Sequence, residues 1–360
     1  MSTPIRPTPA NRNEFIQVMR FVAAALVLIT HATFYVHERV DGGVPVWHFG
    51  EIGVPIFFVI SGIVMVISSV SLPSDTAGAR EFMARRLLRI LPLYWLVTFA
   101  KVAIALAVPS VINHNHFDLG HAVKSFLFIP AYNQDGDIRP IHGVGWTLLH
   151  EMFFYVVFAT MMLLRTRPAL SASALILALY VVGRLAQPHD AVLSVMTSSV
   201  NLYFILGMLI GAAAVRSLTG RGPRPSWVLA GLAVFALVKW FAPPGAGIPL
   251  DPVVPLVGCA MLVLAHCKMP KFLSWPVALG DSSYALYLFH PFLAPAVLMG
   301  LHKLLPSLGP LVAIPVTVLV AITVSHGLHL WLEMPLNRWA KRTFRRPRAP
   351  GDVNLKGAAR

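Results

Sequence analysis

The chain has 360 residues, 56% of them hydrophobic and only 12% charged, with a mean hydropathy of +0.69, which excludes an ordinary soluble domain and marks an integral membrane protein. The net charge of +14 does not indicate a nucleic-acid partner, because the basic residues are scattered through short loops and a terminal tail rather than gathered in a domain. Cys259 and Cys267 are the only cysteines and share one apolar segment, so neither a disulfide framework nor a metal site is expected.

Apolar runs long enough to cross a bilayer core, about 20 residues each, fall near residues 15–36, 50–70, 87–108, 142–164, 169–187, 199–216, 226–242, 250–266, 279–300 and 309–332. The expected fold is all-α, a polytopic transmembrane bundle of about ten helices. No cleaved leader is expected, since Arg20 interrupts the first run and no small-residue cleavage site follows it. With the N-terminus on the cytoplasmic side, the inside segments collect most of the 29 lysines and arginines, so both termini are expected there. The organisation predicted is a cytoplasmic segment 1–14, a transmembrane domain 15–335 and a basic, disordered cytoplasmic tail 336–360.

The first span contains RFVAAALVLITH, Arg20 to His31. Eleven residues on a helix return to nearly the same face after a rise of about 16 Å, so both side chains are expected to face one cavity at different depths. Ionisable groups inside a span are costly and mark function or a specific partner. His31 is either a neutral ring bonded to a backbone carbonyl or a general base for a hydroxyl. Arg20 either serves a site or reaches back to the headgroups.

The third span opens with EFMARRLLRILPLYW, where Arg85 and Arg89 stand one turn apart with Arg86 beside them. That surface suits phosphates, though ordinary positive-inside anchoring also places arginines here. The connection 109–141 that follows is polar and turn-rich, long enough to cover a site but too short for a domain. In the fourth span, GVGWTLLHEMFFYVVF puts Glu151 at a depth comparable with His31. It is expected either to orient and charge-stabilise that imidazole or to pair with Lys101 or an arginine. The ninth span, LGDSSYALYLFHPF, carries Ser283, Tyr287 and His290 on one face with Tyr284 beside them, either as interhelical glue or as a site wall. Glu333 closes the tenth span, where an ion pair with a basic residue is expected.

Taken in order, Arg20 with His31, FGEIGVPIFFVISGIVM, FMARRLLRILPLYW, WTLLHEMFFYVVF, LGDSSYALYLFH and the Glu333-Met334-Pro335 ending resemble the acyltransferase-3 family of polytopic membrane acyltransferases, from about Phe15 to Pro335. Within that family the sequence is most similar to bacterial enzymes that modify exopolysaccharides. Thr147 departs from the serine that commonly follows the fourth-span tryptophan, and Met152 departs from the residue usual after the glutamate.

The resemblance implies a bacterial inner-membrane O-acyltransferase that moves acetyl, or another short acyl group, from cytoplasmic acyl-CoA to a hydroxyl of an extracytoplasmic or lipid-linked polysaccharide. It implies essential roles for Arg20 and His31 and a part for Arg85, Arg86 and Arg89. On this reading Arg20, Arg85, Arg86 and Arg89 hold the donor's phosphates. His31 and Glu151 serve proton transfer, either in direct transfer or through an acyl-histidine. Trp146, Ser283, Tyr284, Tyr287 and His290 wall the substrate space. No permanently bound cofactor and no metal are expected; acyl-CoA is a co-substrate, and the partners are the saccharide acceptor and membrane lipids. The rival reading is a transporter or flippase of a lipid-linked saccharide, although no inverted repeat supports it.

Overall fold

The computed structural model describes residues 14–107, 118–218 and 274–344. Among them eight helices are long and apolar enough to cross a membrane, matching eight of the ten expected spans to within a few residues at most ends. The expected spans 226–242 and 250–266 lie outside the described residues. The helices are α1 (Glu14–Arg39), α2 (Gly53–Ser69), α3 (Thr76–Ala107), α4 (Leu119–Phe126), α5 (Trp146–Leu163), α6 (Pro168–Ala186), α7 (Ala191–Met196), α8 (Leu202–Leu218), α9 (Ser274–Asp281), α10 (Ser283–Leu304), α11 (Pro310–Leu328) and α12 (Met334–Phe344).

Local chemistry explains the ends. Helix α1 has Glu14 in its first turn and His37 and Arg39 in its last, charges that complement the helix dipole. Helix α6 begins with a proline and stops at Gln187, whose positive φ of 44° turns the chain. Asp190 then caps α7, its carboxylate accepting from the Leu193 amide.

Two boundaries differ from expectation. Helix α3 starts at Thr76, eleven residues early, because the arginine-rich stretch is itself a good helix former and simply extends the span. At 32 residues it is about 48 Å long, well beyond the hydrocarbon core, so its first turns reach the headgroup region. At the other end, residues 336–344 of the expected disordered tail are helical in α12, which packs against α3; its basic last turn, Lys341 and Arg342, suits a helix C-terminus.

The centre of the bundle is formed by α2 and α8, the most enclosed of the spans, whereas α6 and α11 lie at the periphery. The two central backbones nearly touch. A Cβ on Gly207 would fall 2.9 Å from the Gly62 Cα, and one on Gly211 3.0 Å from the Ile63 carbonyl oxygen. Between helices that have no hydrophobic drive to associate in lipid, small residues let van der Waals packing do the work, and Gly207 and Gly211 stand in the four-residue register that achieves it. Gly207→Leu is therefore expected to destabilise the bundle by about 1–3 kcal/mol, visible as a lowered thermal midpoint in detergent. An unchanged midpoint would mean the close approach is unimportant.

Helices α1 and α10 run side by side in the same direction: Gly280, just before α10, lies against the Gln17 backbone, and His290 lies against His31. This pairing fixes which parts of the two helices share a depth.

Candidate active site

A cavity of about 210 Å³ lies between α1, α2, α3, α5 and α10. A single water occupies roughly 30 Å³, so there is room for a polar arm of a ligand. Gln17 and Arg20 enter from α1, Ser61 from α2, and Arg86 and Arg89 from α3. Thr147, Glu151 and Tyr155 contribute from α5, and Ser283, Tyr284 and Tyr287 from α10.

The lining holds three guanidinium groups against one carboxylate. Glu151 accepts hydrogen bonds from the Ser61 hydroxyl at 2.7 Å and from the Tyr155 hydroxyl, and its charge acts on Arg20 together with those of Arg89 and Glu333. Arg86 donates to the Ser68 hydroxyl and lies 5.6 Å over the Phe82 ring. Three polar atoms of the lining residues, Gln17 Oε1, Arg86 Nε and Ser283 Oγ, are buried without a hydrogen-bond partner among the described residues. The cationic balance of the lining, three guanidinium groups to one carboxylate, suits an anionic guest.

Several of the expected site residues stand elsewhere. Arg85, next in chain to Arg86, points away from the cavity and pairs with Glu81 at 2.7 Å. The helix explains this: adjacent residues diverge by about 100°, whereas Arg86 and Arg89, three apart, share a face. Trp146 packs edge-on to Phe58 and His150 rather than lining the cavity. Tyr284 lines it, its hydroxyl donating to the Ile90 carbonyl at 2.9 Å. Glu333 sits in a π-helical turn, His329–Glu333, and pairs with His329 at 2.7 Å.

His31 does not open on the arginine cavity, contrary to the expected common face with Arg20. Its Nδ1 lies 2.9 Å from the Val27 carbonyl, and its ring meets His290 edge-on with 4.7 Å between centroids. Tyr287 touches both groups of residues. It lines the cavity, lies 5.8 Å from the His290 ring, and is held by hydrogen bonds of 2.8 Å to Thr147 and to the Val144 carbonyl. The threonine that departs from the family pattern is thus a direct partner of that tyrosine.

Glu151 likewise is not the neighbour of His31. Counting residues from His142 predicts a depth near that of His31; instead the face of α5 bearing Thr147, Glu151 and Tyr155 looks onto the arginine cavity, with Thr147 bonded to Tyr287 and Glu151 a turn further along, toward Arg20. Lys101, the other partner considered for Glu151, stands over the Phe292 ring at 5.4 Å. Among the described residues the charges acting on His31 are Arg139 and Glu51, both in the connections at the far end of α1 from Arg20.

Gln17, Ser61 and Tyr155 were missed by sequence reasoning. Each had a signal: Gln17 precedes Arg20 by three residues, Tyr155 follows Glu151 by four, and Ser61 is a polar residue within a strongly apolar span. Among the described residues no group of three or more histidines, cysteines or carboxylates is placed to hold a metal.

Comparison with known proteins adds a second line. The family model described as an acyltransferase domain matches residues 13–328. The chain is 36% identical over 304 residues to the exopolysaccharide production protein ExoZ of Rhizobium meliloti (strain 1021), covering 81% of this chain and 91% of that protein. No solved structure matches the chain.

Proposed function

This chain belongs to the acyltransferase family whose model spans most of its length, and from that membership we propose that it is a multi-pass O-acyltransferase of the bacterial inner membrane, acting in exopolysaccharide production. It moves an acetyl or other short acyl group from cytoplasmic acyl-CoA to a hydroxyl of an extracytoplasmic or lipid-linked polysaccharide. The observation that carries this reading is the buried cavity whose described lining sets three arginines against one carboxylate.

Arg20, Arg86 and Arg89 hold the anionic part of the donor, where guanidinium forks match phosphate oxygens. Glu151, tied to Ser61 and Tyr155, keeps the rack of cations in place without neutralising it. A carbonyl only accepts, so the bond to Val27 fixes the hydrogen of a neutral His31 on Nδ1 and leaves a lone pair on Nε2. That lone pair takes the proton of the acceptor hydroxyl as its oxygen attacks the thioester carbon. The carbon–sulfur bond breaks, and the proton ends on the sulfur of the released CoA.

Tyr287 touches both the donor cradle and the histidine pair, so the acyl arm passes this side chain to reach the acceptor. The direct test is incubation of the purified full chain with radiolabelled acetyl-CoA and exopolysaccharide, followed by measurement of label in the glycan. Label in the polysaccharide is the expected result. Saccharide translocation with no label transferred would overturn the enzyme reading in favour of a transporter.

A further inference from the structure

We infer that His290 is a positioning residue for His31, holding an unoccupied hydrogen-bond acceptor against the ring that becomes charged during transfer. This rests on the proposed role of His31 as base and assigns it the partner that sequence reasoning sought in Glu151.

The two imidazoles are built alike. His290 Nδ1 lies 3.2 Å from the carbonyl of Leu286, four residues earlier, as His31 Nδ1 lies 2.9 Å from that of Val27. Carbonyls cannot donate, so each neutral ring carries its hydrogen on Nδ1 and a lone pair on Nε2. His290 is 1% exposed, and its Nε2 is buried with no partner among the described residues. A lone pair kept empty at this depth is costly and calls for an explanation.

The contact between the rings supplies one. When His31 takes the hydroxyl proton it becomes an imidazolium with a new N–H on Nε2, in an environment short of water. His290, whose ring meets His31 edge-on at 4.7 Å between centroids, keeps an unpaired ring nitrogen beside that cation, where its lone-pair dipole can stabilise the charge. No covalent bond of His290 changes, and the proton still leaves with the CoA sulfur.

The surroundings provide few competitors. Tyr35 lies 6.3 Å from His31 on the same helix, and Tyr287 is engaged with Thr147 and Val144. His142, at the entry to α5, is stacked on Phe292 at 5.5 Å, with Lys101 5.4 Å over that same Phe292 ring; its Nε2 is also unpaired among the described residues, and its charge acts on His290. Among the described residues the remaining charges that act on His31, Arg139 and Glu51, are in the connecting segments.

The test compares two replacements in the purified full chain. His290→Gln keeps an acceptor oxygen; His290→Phe keeps an aromatic ring and loses the acceptor. The inference expects kcat for acetyl transfer to fall on the order of 10²-fold in the phenylalanine variant, with donor KM unchanged and activity largely recovered in the glutamine variant. A packing role predicts the reverse order, with phenylalanine the better substitute, and that order, or wild-type turnover in His290→Phe, overturns the inference. Should His290→Phe fail to fold, judged by loss of CoA binding, His290→Asn and His290→Leu pose the same question through a similar pair. Wild-type protein that transfers no label at all refutes the function itself, which keeps the two failures apart.

Discussion

Arg86→Glu is expected to raise the dissociation constant for acetyl-CoA by on the order of 10²-fold or more, while Arg85→Glu changes it by only a few-fold. Arg86 lines the cavity with Arg20 and Arg89, and its Nε is buried without a hydrogen-bond partner among the described residues. Reversing its charge removes a fork that meets a phosphate and places a second carboxylate near Glu151. Arg85 is partly exposed and already engaged with Glu81, so its reversal acts mainly through screened surface potential. Titration of the purified variants with CoA, followed by heat or intrinsic fluorescence, reads both constants. Equal effects at the two neighbours would mean that the arginines act as a general positive surface rather than as a cavity clamp. Arg86→Gln serves where the reversal prevents folding, with an expected weakening of about 10-fold for a lost charge-assisted contact.

His31→Ala is expected to lower kcat by about 10²–10⁴-fold, the range over which a positioned general base contributes, with CoA binding within a few-fold of the parent. The separation follows from where the side chains stand. Arg20 lines the arginine cavity, whereas His31 is absent from its lining, in contact with His290 and under the influence of Arg139 and Glu51. A loss of donor affinity matching the loss of turnover would place His31 in the donor site instead. A fully active variant would remove it from the chemistry altogether. Label recovered on the protein after denaturation in the parent chain, and absent in His31→Ala, would favour an acyl-histidine over direct transfer.

The division between these two predictions depends on helix rotation, which also decided several other residues. Counting residues from the start of its span sets Glu151 level with His31, yet its carboxylate meets Ser61 and Tyr155 beside the arginines, a turn beyond the Thr147–Tyr287 bond. Ser283, Tyr284 and Tyr287 reach the cavity from one stretch of α10, whereas His290, a further turn along, meets His31. Glu333, for which an ion pair with a basic residue was expected, lies 2.7 Å from the imidazole of His329 in a π-helical turn, a local widening that hydropathy does not reveal.

The sequence by itself determined that this is a helical membrane protein, where eight of its spans run, and which ionisable residues at depth demanded an explanation. Those conclusions are reliable for a physical reason: hydrocarbon punishes every exposed backbone or charged group, so spans and their polar exceptions are written in composition along a single helix. Only the tertiary structure decided which of those exceptions meet. The close approach of Gly62 and Gly207 and the parallel pairing of α1 with α10 fix how the helices are turned about their axes. Periodicity says which residues share a face of one helix, but the partner across the gap depends on packing between segments distant in the chain. That is why Arg86 entered the cavity and Arg85 left it, and why His31 met His290 in place of Glu151.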